Sequence, residues 1–349
     1  MKKIAFFDAK PYDRESFDSV NGGRYDISYF EPRLSAAVLP LADGCDAVCA
    51  FVNDEIGADV AKGLADRGIR LLVMRCAGYN NVDFKAAYDR GLTVLRVPAY
   101  SPHAVAEHAL ALLMTLNRRL HKAFIRTRDF NFSLVGLTGF DMYGKTAGVV
   151  GMGKIGQCFA AVCRGLGMRV LAYDRFKKDD GVFDYVDLDF LLKESDVVSL
   201  HCPLTPENYH MFDKKAFAKM KKGVFIINTS RGGLIDSADL LAALRSGDVG
   251  GAGLDVYEEE SDWFYEDRSM VTGQNDNLSL LISMPNVLVT SHQAFLTKEA
   301  LHNIAVTTLA NADAFFAGDP LPNEICYRCL NNEAAAADCL KRAGGRCPR

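Results

Sequence analysis

What the chain lacks narrows it before any motif does. None of its apolar runs approaches the roughly 20 residues that a membrane-spanning helix needs, so no membrane partner is expected. An excess of one charge is also missing. Lys and Arg number 40 against 44 Asp and Glu, with no basic block in the part that folds, so no nucleic-acid partner is expected. The apolar run starting at Ile4 stops at Asp8, too early for a secretion signal, and reads as a first β-strand. Cysteine is not scarce, at ten, but metal-site spacing is. Cys326-x-x-Cys329, followed by Cys339 and Cys347, has neither a second close pair nor a nearby histidine pair, so no metal is expected. Cys76, Cys158, Cys163 and Cys202 fall in predicted strands or helices, where a free thiol behaves as a small apolar group. A reduced, cytoplasmic protein is the expectation.

At 349 residues the chain is long enough for two domains, and 49% apolar with 24% charged suits globular ones. Apolar runs at 4–8, 26–30, 47–51, 71–76 and 93–97 predict strands, with helices over 14–20, 56–67 and 84–90 between them. That alternation predicts an open parallel α/β unit. Pro98 and Pro102 mark a crossing loop, and Ser101 with Pro102 starts a helix over 104–119. So apolar a helix is expected between domains or in a subunit interface, with 121–129 continuing it. From residue 145 a second unit is predicted. Its strands are 146–150, 169–173, 196–201, 223–228, 251–256 and 286–291, and its helices 154–166, 188–194, 213–221 and 237–246. Residues 261–285 read as an inserted loop, 298–316 as a last long helix, and the chain from 331 as a disordered tail.

The first strand of the second unit enters Gly151-Met152-Gly153-Lys154-Ile155-Gly156, and a helix follows at once. Gly151 permits the tight turn, Gly153 leaves the backbone open to a pyrophosphate, and Gly156 allows close helix packing. The second strand ends in Asp174, which suits the hydroxyls of an adenosine ribose and repels a 2′-phosphate. Strand, glycine turn, helix, strand and acid together predict a doubly wound dinucleotide-binding domain that takes NAD.

Open α/β sheets bind ligands beyond the carboxyl ends of their strands. Those ends carry Cys202-Pro203, then Thr229-Ser230-Arg231, then Asp255 with Glu258-Glu259-Glu260, and then His292. A guanidinium can grip a 2-oxo acid's carboxylate, and an imidazolium can protonate the oxygen formed by hydride transfer. A carboxylate on the other ring nitrogen stabilises that imidazolium and orients the ring.

The chain resembles the D-isomer-specific 2-hydroxyacid dehydrogenases, in the branch of the bacterial fermentative D-lactate dehydrogenases. The likeness runs from about residue 1 to 330. It is carried by the glycine turn, Asn228-Thr-Ser-Arg-Gly-Gly, Gly253-Leu-Asp-Val-Tyr-Glu-Glu-Glu, Ser291-His-Gln-Ala-Phe, Val52-Asn-Asp, Met74-Arg-Cys-Ala-Gly-Tyr-Asn-Asn-Val-Asp, Arg96-Val-Pro-Ala-Tyr-Ser-Pro and Leu200-His-Cys-Pro-Leu-Thr-Pro-Glu-Asn. The resemblance implies reduction of pyruvate to D-lactate by NADH. Arg231 would be the substrate arginine, His292 the acid/base and Glu260 its partner. Ala77, Gly78 and Tyr100 would help bind substrate. Gly151, Gly153, Lys154, Ile155, Gly156, Asp174, Cys202, Pro203, Thr229, Ser230 and Asp255 would line the cofactor. It further implies a flavodoxin-like substrate domain of residues 1–100 plus 299–330, a Rossmann-type NAD domain of 101–298, a cleft between them, and a homo-oligomer. A larger 2-oxo acid such as phenylpyruvate, or an NAD-sensing protein without turnover, are the alternatives.

Overall fold

The structure, a computed structural model, describes residues 1–177, 181–260, 263–270 and 276–331. Its chain divides into two compact units, Met1–Ser101 with the described residues from Thr297 onward, and Pro102–Leu296.

The first unit is a parallel sheet of β1 (Lys2–Phe6), β2 (Tyr25–Tyr29), β3 (Ala47–Ala50), β4 (Leu71–Met74) and β5 (Thr93–Leu95), in the order β2-β1-β3-β4-β5. That is the flavodoxin-type order. β3, β4 and β5 are buried at every position, as strands covered on both faces must be. The long helix Lys298–Ala317 belongs to this unit. It lies along helix Pro11–Asn21, and its Asp313 accepts a 2.6 Å hydrogen bond from the Tyr25 hydroxyl.

The second unit has seven parallel strands where six were expected. They are β6 (Thr146–Val150), β7 (Arg169–Tyr173), β8 (Asp184–Tyr185), β9 (Val197–Leu200), β10 (Val224–Asn228), β11 (Val249–Leu254) and β12 (Val287–Val289). Their order is β12-β11-β10-β9-β6-β7-β8. The extra strand, β8, spans two residues, too few to show any periodicity. From β6 the sheet is built outward through β7 and β8 on one side and through β9 to β12 on the other, so its topological switch lies beside β6, with one apolar cluster on each face.

Three local expectations are corrected. Helix Pro102–Asn117 is apolar because it packs on this unit's own sheet and on helix Lys154–Gly165. Ala109, Leu112, Leu113 and Leu116 lie in one core with Val149 and Ile227. The stretch after it does not continue it. Arg119 adopts a left-handed backbone (φ 52°) and caps a separate helix, Leu120–Arg128. The segment read as an inserted loop holds a helix, Asp276–Ser283, and Phe264 is buried in the core. Apart from the backbone of Asn331, the expected tail lies outside the described residues.

Candidate active site

Strand β6 ends at the switch, and Gly151 turns the chain with φ 94°. A Cβ there would stand 2.5 Å from the Cys202 nitrogen on the neighbouring β9 connection, so backbone angle and neighbour both demand glycine. A Cβ on Gly156 would collide with the Gly151 carbonyl oxygen. Gly153 differs from both. Its Cβ would meet nothing, so the turn faces open space there. Gly153 is also the N-cap of helix Lys154–Gly165 and offers no side chain to its first N–H groups. An open backbone and uncapped N–H groups at a helix N-terminus fit a dinucleotide's phosphates. Lys154 and Ile155 are the first two residues of that helix.

Asp174, beyond β7, ties this turn to its neighbour. Its carboxylate accepts from Met152 N at 2.6 Å and Phe176 N at 2.8 Å. On the other side of β6, the Cys202 carbonyl accepts from Ser230 Oγ at 2.5 Å, and the Pro203 carbonyl from Asn208 Nδ2 at 2.8 Å. Burial pushes the Cys202 thiol up to about 11, so it stays protonated at neutral pH. Thr229, after β10, is buried, and its hydroxyl has no hydrogen-bond partner among the described residues. An orphaned hydroxyl at the same sheet edge again fits a polar ligand. His201, which precedes Cys202, is held by burial down to about 3 and is therefore neutral, with Ser199 Oγ 2.9 Å from its Nε2.

The chemical residues sit on the other half of the edge. β10, β11 and β12 are adjacent, so Arg231, the Glu258–Glu260 run and His292 leave three consecutive strands. Arg231 donates one bond, Nη1 to the Ser230 carbonyl at 2.6 Å. Its other N–H groups have no partner among the described residues. The three glutamates part company. Glu258 accepts from His210, whose Nε2 lies 2.8 Å away, and Glu259 is exposed. Glu260 is fixed by Tyr257 N at 3.0 Å, and its Oε1 lies 2.8 Å from His292 Nδ1. A carboxylate can only accept there, so Nδ1 carries a hydrogen and Nε2 is the nitrogen left for exchange.

His292 has a left-handed backbone, φ 51°, a conformation costing a non-glycine residue about 1–3 kcal/mol unless its surroundings enforce it. Asp255 enforces it. Its carbonyl accepts from His292 N at 2.7 Å, and its fully buried carboxylate accepts from Gln293 N and Ala294 N, each at 2.9 Å. Thr290 Oγ1 donates to the same carboxylate at 2.5 Å, and the Tyr265 hydroxyl donates to the His292 carbonyl at 3.1 Å. Asp255, expected at the cofactor, thus has its carboxylate engaged by the histidine loop. Sequence reading missed Thr290, Tyr265 and His210. Thr290 adjoins the Ser291-His292 motif, whereas Tyr265 and His210 stand beside no motif residue.

Ala77, Gly78 and Tyr100 lie in the first unit, after β4 and β5. The Ala77 carbonyl accepts from Arg96 Nη1 at 2.9 Å, Gly78 O is 3.2 Å from Cys76 Sγ, and Tyr100 O accepts from Asn303 Nδ2 at 2.8 Å. No group of His, Cys, Asp and Glu among the described residues forms a metal site, and no described helix is long and apolar enough to cross a membrane.

The chain is similar to known proteins. The family pattern of the D-isomer specific 2-hydroxyacid dehydrogenase, NAD binding domain, matches residues 110–294. The D-lactate dehydrogenase of Escherichia coli K12 is 50% identical over 327 residues, 93% of this chain and 99% of that one. Among solved structures, the pyruvate reductase of Chlamydomonas reinhardtii superposes with a TM-score of 0.88 at 43% identity, covering 92% of this chain and 98% of that one. The Lactobacillus jensenii D-lactate dehydrogenase with NAD+ gives 0.79 at 33% identity, covering 93% and 99%. With an open glycine turn, an acid after β7 and a pattern match across most of the second unit, the chain belongs to the NAD-dependent D-isomer specific 2-hydroxyacid dehydrogenases.

Proposed function

We propose that the chain is a D-lactate dehydrogenase, reversibly reducing pyruvate to D-lactate. The observation that carries this reading is the 2.8 Å pair of His292 and Glu260, beside Arg231 and on the sheet edge that holds the cofactor turn. The names of the Escherichia coli and Chlamydomonas relatives support pyruvate as the oxo acid.

NADH, when bound, supplies the hydride. Gly151, Gly153 and the N–H groups of Lys154 and Ile155 would hold its phosphates, Asp174 its adenosine ribose, and Thr229 a further polar group. Arg231 has a fork of free donors for the substrate carboxylate, matching its two oxygens as a lysine could not. As the carbonyl carbon gains a C–H bond, its oxygen becomes basic and takes the proton from His292 Nε2. Glu260 stabilises the imidazolium before that transfer and aims the ring. In lactate oxidation the same nitrogen receives the proton. The first unit is the proposed substrate domain, and the backbone at Ala77 and Gly78, and Tyr100, are its proposed substrate contacts.

We further propose that the chain works as a homo-oligomer in the cytoplasm. Eight described cysteines are free, as suits a reducing compartment. Phe124, Ile125, Phe130, Phe132, Leu134 and Val135 are all more than half exposed, a patch suited to a second copy of the chain. Sedimentation of the purified protein as a monomer would remove that proposal.

The enzymatic reading is tested by following NADH absorbance with pyruvate and then phenylpyruvate. Oxidation with pyruvate is expected. Faster turnover with phenylpyruvate would change the substrate, and no oxidation with any 2-oxo acid would reduce the protein to an NAD sensor.

A further inference from the structure

Behind His292 lies a second histidine and carboxylate arrangement that the proposed chemistry does not use. His108 sits in the middle of helix Pro102–Asn117, a polar side chain on a largely apolar helix. It lies far from His292 in the chain but within the same unit. Its Nε2 is 3.1 Å from Thr290 Oγ1 and 3.3 Å from Asp255 Oδ1. The single hydrogen of Thr290 is directed to Asp255 Oδ1, so toward His108 the hydroxyl can only accept. The hydrogen on His108 is therefore on Nε2, pointing between the hydroxyl and the carboxylate.

The geometry points to His108 as a positioning residue for proton transfer by His292, an inference that rests on the acid/base reading given above. The Asp255 carboxylate is fully buried and takes donors from Thr290, Gln293 and Ala294, all in the loop that carries His292. Three neutral donors leave a buried negative charge without a cationic or ring partner, and His108 is the side chain that supplies one. The Asp255 backbone carbonyl in turn receives His292 N at 2.7 Å and keeps that residue at φ 51°. Without His108, the Thr290 hydroxyl and the Asp255 carboxylate lose a donor that reaches them from outside that loop. The loop then relaxes from its left-handed turn, and the imidazole leaves the line set by Glu260. Such displacement lowers the rate of proton transfer far more than it weakens substrate binding, because positioned groups act on the transition state.

The test uses the whole enzyme with NADH and pyruvate. His108→Leu keeps the volume and removes the donor; His108→Gln keeps an N–H at similar reach. Thr290→Val removes the bridging hydroxyl and serves if His108→Leu does not fold. Leucine is expected to lower kcat about tenfold with KM changed less than twofold, and glutamine to restore most of the loss. Thr290→Val should cost a similar factor, and the double variant little more than either alone. In a His292→Ala background, His108→Leu should change the residual rate by less than twofold. Equal losses with and without His292, equal losses for Leu and Gln, or a loss in KM alone would each overturn the inference while leaving His292 as the acid/base. Wild-type turnover by His292→Ala would remove that assignment, and this inference with it.

Discussion

Strands β1 and β6 each open a parallel α/β unit, and each runs into a turn and then a helix. After β6 the turn is glycine, its helix lacks a side-chain cap, and the space beside Gly153 is empty. After β1 the corresponding turn is filled by side chains. Asp13 caps its own helix by accepting from Lys10 N at 3.0 Å, and Lys10 Nζ lies 3.1 Å from Asp8 Oδ1. Arg75, from the end of β4, is buried between the rings of Phe6 and Phe51, at 4.6 and 4.5 Å. Its guanidinium donates to the carbonyls of Phe7 and Asp8 and lies 3.3 Å from Asp13. The same architecture therefore makes a ligand cradle in one unit and a closed ion-pair cluster in the other. Side chains, not topology, decide which strand end is open to a phosphate.

That contrast can be broken in four places. The largest effect is expected at the open edge. His292→Ala should lower pyruvate reduction by roughly 10²–10⁴-fold, the range for a general acid, while NADH still binds by fluorescence titration. Turnover within tenfold of the parent would deny the open edge its chemistry. Next comes the closed edge. Arg75→Met strands Asp13 and two carbonyls, and should cost about 3–5 kcal/mol in urea unfolding while NADH affinity stays within twofold. A near-neutral result would mean that the cluster does not hold the first unit together. Third, Gly151→Ala forces a side chain against the β9 connection at φ 94°. NADH affinity should fall about 10–100-fold, from roughly 1–3 kcal/mol of strain. Unchanged binding would show that the turn tolerates closure.

The smallest effect concerns Asp54, buried beside Arg75 with Leu34 N at 2.6 Å and Phe51 N at 2.5 Å. Burial pushes this carboxyl up to about 6, against Arg75 and both N–H groups, which pull it down. The folded chain then holds the proton more tightly than the unfolded chain. The group thus favours folding below about pH 4, and that contribution is lost as pH rises through about 6. The stability of the parent relative to Asp54→Asn should fall between pH 4 and 6, by on the order of 1–3 kcal/mol. Urea midpoints read at each pH check this, and a constant difference would show that Asp54 ionises freely.

Much of the second unit was legible because its signals are local. Strands Thr146–Val150 and Arg169–Tyr173 and helices Leu188–Glu194 and Ser237–Ser246 fall where the apolar runs and turns placed them. Local signals failed where the cause was distant or the element short. Arg119 breaks a helix without being a breaker by type, and Asp276–Ser283 begins among Asn and Asp residues that read as turns. The apolar surface of helix Pro102–Asn117 showed that it is buried, not against what.

The sequence by itself determined the parallel α/β class, the cofactor turn and the strand ends bearing Arg231, Glu260 and His292, since each is written in a few consecutive residues. Tertiary structure alone decided how the glutamates divide. Glu258 goes to His210 and Glu260 to His292, although only one residue separates them. It alone brought His108 to Thr290 across 182 positions, and shut the strand end at Asp8 with Arg75 from another strand. Hydrogen bonds and ion pairs act over a few ångströms of space, and only the folded chain sets which side chains come that close.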